Sequence, residues 1–174
     1  MNLPNYITLA RVALIPFFII LMSYNYYGAA LAVFLAACFT DALDGMIARL
    51  TNSKTELGAF LDPMADKLLI VSAFITLVLL GMLPVWLVII VISRDVILVL
   101  GSVTIYFMGH ELKARPSIMG KGTTVLQLCT VVLSLVLKLY DYELYWPDIL
   151  PMMTATLTIA SGIQYVARGM KIVG

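Results

Sequence analysis

The sequence predicts an all-α integral membrane protein: six transmembrane helices with a polar, cytoplasm-facing metal site. Three observations carry that prediction. The 174-residue chain is 62% hydrophobic and 12% charged, against ~45–50% and ~25% in an ordinary soluble domain. Six apolar runs are each long enough for a bilayer core, which takes ~20 residues of helix. Four of the ten acidic residues fall together on two neighbouring runs. With a mean hydropathy of +1.02, a soluble sphere of this size cannot hide its apolar surface, so lipid is part of its solvent. That excludes a secreted disulfide scaffold, a disordered tail and a nucleic-acid module. The net charge of +1 implies no polyanionic partner.

The runs lie at about 5–23, 28–49, 58–80, 84–108, 119–139 and 149–168. Breakers separate them: Tyr24-Asn25-Tyr26-Tyr27-Gly28, Thr51-Asn52-Ser53-Lys54, Gly81-Met82-Leu83-Pro84, and Pro147 to Pro151. No connection holds a soluble module, so residues 1–174 read as one membrane domain. The first run has no basic leader and is interrupted by Arg11, so it reads as a retained helix and not a signal peptide. An even number of spans puts both termini on one side. Arg49, Lys54, Lys67, Lys113, Arg115, Lys121, Arg168 and Lys171 gather there, which makes that side cytoplasmic. Lys138 stands opposite with Asp141, Glu143 and Asp148. Tyr24, Tyr26, Tyr27, Trp86, Tyr140, Tyr142, Tyr145 and Trp146 then form an interfacial belt on the far face. Cys38 and Cys129 sit in apolar runs and read as small buried side chains, and the lone His110 offers no metal site.

The acids carry the chemistry. Asp41 and Asp44 are spaced i,i+3, and Asp62 and Asp66 i,i+4, so each pair shares a helix face. The pairs are symmetric about the intervening turn: positions 44 and 62 centre on 53, and 41 and 66 on 53.5. A helical hairpin turning there sets the pairs opposite each other at matching depth. Gly45, Ala48 and Gly58 keep the same segments small. A single Asp at a helix centre costs ~2.5–3.5 kcal/mol to insert, so four need compensation. Two divalent cations balance them, and all-oxygen ligation selects Mg²⁺ or Mn²⁺ over zinc. Such a pair, ~3.5–4 Å apart, is the usual clamp for displacement at phosphorus.

The string Asp41-x2-Asp44-Gly45-x2-Ala48-Arg49-x8-Gly58-x3-Asp62-x3-Asp66 resembles the CDP-alcohol phosphotransferase (CDP-alcohol phosphatidyltransferase) signature at every fixed position. The likeness runs from Asn2-Leu-Pro-Asn5 to the Ser161-Gly162-Ile-Gln-Tyr tail. Within that family the pattern is similar to phosphatidylglycerophosphate synthases and CMP-forming cardiolipin synthases. The resemblance implies two Mg²⁺ held by Asp41, Asp44, Asp62 and Asp66, with Asp66 also the base for the acceptor hydroxyl. It places Asn5, Gly45, Ala48, Arg49, Thr55 and Gly58 at the nucleotide and diphosphate. It further implies CDP-diacylglycerol as donor, CMP as leaving group, a homodimer, and residence in a bacterial inner membrane.

For the acceptor, Arg94 and Lys121 are the leading candidates, with Arg115 and Lys113 beside them. Arg94 lies near mid-span, where it either recognises an anion or pairs with Asp95 or the aspartate cluster. Lys113 and Arg115 also fit ordinary positive-inside residues. A phosphate-bearing acceptor needs such cations, which favours glycerol 3-phosphate or phosphatidylglycerol over serine, with inositol phosphate a further option. The chain has Arg94-Asp95-Val96 where phosphatidylglycerophosphate synthases carry Arg-Glu-Phe, and Thr123 where they carry a second Lys, so both glycerol-type acceptors stay open. From another class, a divalent-cation transporter would use the same aspartates. It would need polar stations continuing outward, where Thr40 is followed only by Phe39, Cys38, Ala37 and Ala36.

Overall fold

Each apolar run of the sequence becomes one helix. The computed structural model describes residues 3–51, 56–107, 118–142 and 149–173, with side chains for 10–40, 67–101, 104, 119–142 and 149–170. Among these the elements are α1 (Leu3–Ser23), α2 (Tyr27–Thr51), α3 (Glu56–Leu79), α4 (Val85–Phe107), α5 (Ile118–Leu139) and α6 (Ile149–Val173). The bounds follow the apolar runs to within a few residues, except that α6 continues past Arg168 to Val173. Hydrophobicity marks where lipid stops, and hydrogen bonding marks where a helix stops. Met119–Leu139 and Ile149–Met170 are long and apolar enough to cross a membrane. Shorter apolar helical stretches occupy Ala10–Ser23, Tyr27–Thr40 and Lys67–Leu79.

Three helices end in the same way. Asn25, Gly81 and Asp141 take positive φ of 62°, 71° and 54° just after α1, α3 and α5. In each case the next residue donates its N–H to a leucine carbonyl five residues back: Tyr26 to Leu21 at 2.9 Å, Met82 to Leu77 at 2.8 Å, Tyr142 to Leu137 at 3.0 Å. The left-handed residue itself bonds three back, to Met22, Val78 and Lys138. This is the Schellman arrangement, which satisfies terminal carbonyls and ends the helix. Glycine, asparagine and aspartate fill the left-handed position because their steric or local hydrogen-bonding demands there are mildest. Exposed Tyr24, Tyr26, Tyr140 and Tyr142 flank two of these turns. Tyr145 and Trp146 lie outside the described residues.

The chain forms two compact units. The first comprises Met1–Met82 with Val131–Glu143. Its interior is apolar: Phe18 and Met22 of α1, Ala30, Phe34 and Ala37 of α2, then Leu69, Ile70, Ala73, Phe74 and Leu77 of α3. These recur at three- and four-residue steps, which is the helix period. Phe18 and Phe34 meet with ring centroids 5.7 Å apart. Gly28 lies beside Leu139, whose Cδ1 would stand in ordinary contact, at 3.5 Å, with a Cβ placed there. Arg11, only 1% exposed, occupies the same stripe as Phe18, seven residues on. Lys138 pairs loosely with Asp141 at 3.8 Å and lies 6.0 Å above the Tyr27 ring.

The second unit comprises Leu83–Thr130 with Leu144–Gly174, and its interior joins Leu87 and Val91 of α4 to two polar stripes. Thr123, Gln127 and Thr130 on α5 are buried at steps of four and three, as are Thr154, Thr158 and Ser161 on α6 at four and three. The helices meet antiparallel along these stripes. Thr130 and Thr154 hydroxyls lie 2.7 Å apart, Gln127 Nε2 donates to Thr158 Oγ1 at 3.4 Å, and Thr123 Oγ1 to the Leu157 carbonyl at 3.3 Å. Outward, the unit exposes Ile89, Leu100, Met152 and Ile163. A polar seam inside an apolar exterior suits a lipid surround, where apolar contact alone gives helices little reason to associate.

The cysteines do not follow the expectation of burial. Cys38 is half-buried, Cys129 is exposed, and neither forms a disulfide. In a chain solvated by lipid an apolar run need not face inward.

Candidate active site

The signature residues fall on the two helix ends that adjoin residues 52–55. Asp41, Asp44, Gly45, Ala48 and Arg49 ride on the last turns of α2, and Gly58, Asp62 and Asp66 on the first turns of α3. The backbone is continuously helical through both pairs, so the i,i+3 and i,i+4 spacings act as helical spacings. At ~1.5 Å per residue, Asp44 and Asp62 each lie ~10 Å from their helix end, and Asp41 and Asp66 ~15 Å. The depths match, as the sequence symmetry requires. The side chains of these residues, and of Asn5 on α1, lie outside the described residues, as do Thr55, Lys113 and Arg115 altogether. Among the described residues no three His, Cys, Asp or Glu side chains gather to hold a metal.

The described residues just beyond the aspartates are quiet. Thr40 Oγ1 donates back to the Ala36 and Ala37 carbonyls at 2.5 and 3.0 Å. Ser72 and Thr76 do the same, to Leu69 at 2.9 Å and Ser72 at 2.7 Å. Their hydroxyls are spent on their own helices, and Phe34, Ala37, Ala73 and Phe74 of the same two helices are fully buried.

Arg94 and Lys121 belong to the second unit. Lys121 is exposed in the first turn of α5. Arg94, on α4, is only 7% exposed and Asp95 8%. Arg94 Nη1 donates to Asp95 Oδ1 at 2.8 Å and Nη2 to Ser161 Oγ at 3.0 Å. The pairing with Asp95, one of the alternatives the sequence left open, is therefore present. Helix neighbours at i,i+1 point ~100° apart, and only the length of the arginine side chain lets it reach round. Beside this pair a groove of about 430 Å³ runs along α4 and α6, walled by Ile89, Ile97, Ile159, Ile163 and Val166, with Arg94 in its lining.

The α5–α6 seam and the contact of Ser161 with Arg94 escape a reading by hydrophobic runs. Their signal is present: polar residues at helical steps in each of two apolar segments. Threonine and serine scarcely lower the hydropathy of a run, so the stripe hides inside a span.

A sequence model of the CDP-alcohol phosphatidyltransferase family matches residues 1–164. The chain is similar to a probable phosphatidylglycerophosphate synthase of Mycobacterium tuberculosis, at 35% identity over 99% of this chain and 84% of that protein. It is similar to the CDP-diacylglycerol–glycerol-3-phosphate 3-phosphatidyltransferase of Bacillus subtilis, at 35% over 96% of this chain and 94% of that protein. It is also similar to the CMP-forming cardiolipin synthase of Rattus norvegicus, at 35% over 99% of this chain but 63% of that protein.

Proposed function

We propose a reaction for this chain from the premise that it belongs to the CDP-alcohol phosphatidyltransferase family: transfer of a phosphatidyl group from CDP-diacylglycerol to a glycerol hydroxyl, with release of CMP. The family is one of membrane-associated transferases of phospholipid synthesis that use CDP-diacylglycerol and an alcohol. Relatives named for glycerol 3-phosphate transfer and for cardiolipin synthesis support a glycerol-type acceptor, glycerol 3-phosphate or phosphatidylglycerol. The observation that carries the reading is the eight-residue signature, held at helical spacing on the last turns of α2 and the first turns of α3.

The donor set is four carboxylates without His or Cys, which fits a hard divalent cation. Asp41, Asp44, Asp62 and Asp66 would hold two Mg²⁺ or Mn²⁺. When bound, these would neutralise the diphosphate and the departing CMP. Gly45, Ala48 and Gly58 leave room for the nucleotide, while Arg49, Thr55 and Asn5 supply donors to it. Asp66 takes the proton of the acceptor hydroxyl. That oxygen bonds to the phosphatidyl phosphorus as the bond to CMP breaks. Arg94, Lys121, Arg115 and Lys113 are the cations for the acceptor's phosphate. Both termini and the site face the cytoplasm, in a bacterial inner membrane, and the protein works as a homodimer.

The test is CMP release by the purified protein in detergent with CDP-diacylglycerol, Mg²⁺ and a panel of glycerol 3-phosphate, phosphatidylglycerol, inositol phosphate and serine. Turnover is expected with a glycerol-type acceptor and loss of it on chelation. Asp66→Asn is expected to lower kcat by about 10²–10⁴-fold. Full turnover by that variant would remove Asp66 from the reaction, and product only with serine or inositol phosphate would sink the glycerol reading.

A further inference from the structure

We infer that the Ser161-Gly162 step of α6 is a socket that positions the Arg94 guanidinium for the acceptor's phosphate; this rests on the proposed role of Arg94. The geometry begins with register. Arg94 Nη2 bonds Ser161 Oγ at 3.0 Å, and Tyr165 OH donates to the Leu98 carbonyl at 3.2 Å. Both pairs are separated by 67 residues, so α4 and α6 run parallel and in step over a full turn. Each helix offers a glycine to the other's large side chain. A Cβ on Gly162 would stand 3.5 Å from Arg94 Cγ, and one on Gly101 3.0 Å from Tyr165 Cε1. The arginine stem therefore lies on Gly162 while its head is gripped from two sides, by Asp95 of its own helix and Ser161 of the next.

A grip of this kind is a poor device for stability. Replacing a buried ion pair with apolar residues of similar size is often neutral or stabilising, and the neighbouring groove wall is aliphatic. What the grip does supply is orientation. A guanidinium carries five N–H donors in a fixed plane, and fixing two of them sets the direction of the others. Nε is among those left over, with no hydrogen-bond partner among the described residues. Ser161 and Gly162 touch Arg94 and need not touch substrate, so they act as positioning residues.

The test separates the two Michaelis constants, measured in detergent with CDP-diacylglycerol against glycerol 3-phosphate and, in parallel, phosphatidylglycerol. Arg94→Lys, which keeps the charge but not the fork, and Ser161→Ala are each expected to raise the acceptor KM about tenfold. The donor KM should stay within about twofold. Ser161→Thr, which keeps the hydroxyl, should restore the acceptor KM. Should Ser161→Ala not survive purification, Gly162→Val is expected to give the same split at about threefold. A bare Cβ there already stands in contact with Arg94 Cγ at 3.5 Å, and the branched methyls beyond it would displace the Arg94 stem. If Arg94→Lys shows the split and the α6 variants do not, the socket is wrong and the role of Arg94 stands. If none shows it, or both constants move together, the role of Arg94 and the socket fall together.

Discussion

The two units join their helices by different means. In the first, α1 and α2 meet through Phe18 and Phe34, and Phe74 of α3 is fully buried, all side chains that fit by shape. In the second, α5 and α6 meet through Thr130, Thr154, Gln127 and Thr158, and α4 joins α6 through Arg94 and Ser161. Shape packing holds helices by many weak contacts and tolerates repacking. A hydrogen-bonded seam is directional and fixes a register. The proposed metal site rides on α2 and α3, above an interior that only has to stay close-packed. The proposed acceptor cation Arg94 sits where the orientation of a single side chain is specified by bonds.

Breaking the polar unit at its most charged point is expected to have the largest effect. Arg94→Ala should cost about 3–5 kcal/mol, because it leaves the Asp95 carboxylate buried without its guanidinium. Thermal unfolding in detergent reads this directly. The double variant Arg94→Leu, Asp95→Leu should recover most of the loss, and failure to recover would mean the pair itself is a net source of stability. In the apolar unit, Phe34→Ala removes a fully buried ring and should cost about 3 kcal/mol in the same assay. A change below 1 kcal/mol would show that the first unit collapses to fill the space. Least is expected of a single uncharged rung. Thr130→Val should lower stability by only about 0.6 kcal/mol, since each threonine also bonds its own helix at Leu126 or Leu150. A loss of several kcal/mol would make the seam a cooperative network.

Much of this was legible in the residues. Apolar runs located all six described helices, and Asn25 and Gly81 marked turns that the backbone makes with positive φ. The aspartate pairs were legible as chemistry because i,i+3 and i,i+4 spacing survives on any straight helix. Arg94 was legible as a question only. Its partner at Ser161 is 67 positions away, and its partner at Asp95 is adjacent in a way that helical geometry ordinarily sets apart. Which polar groups pair across a bundle depends on helix rotation, and in α5 and α6 threonines are weak markers of it. Cys129 misled for the converse reason, since apolarity in this chain signals membership of a span and not a face within it.

The repeated ends of α1, α3 and α5 make those helix stops autonomous. Every hydrogen bond in those three caps closes within six consecutive residues, so none waits for another helix to arrive. The end of each of these helices is specified by its own residues and needs no tertiary contact of either unit. In hydrocarbon or at its edge, an unspent carbonyl is costly, and here the terminal carbonyls of three helices are accounted for by their own next few residues. Where these helices stop is thus encoded locally, and a substitution that removed a buried side chain of either unit would leave the three caps in place.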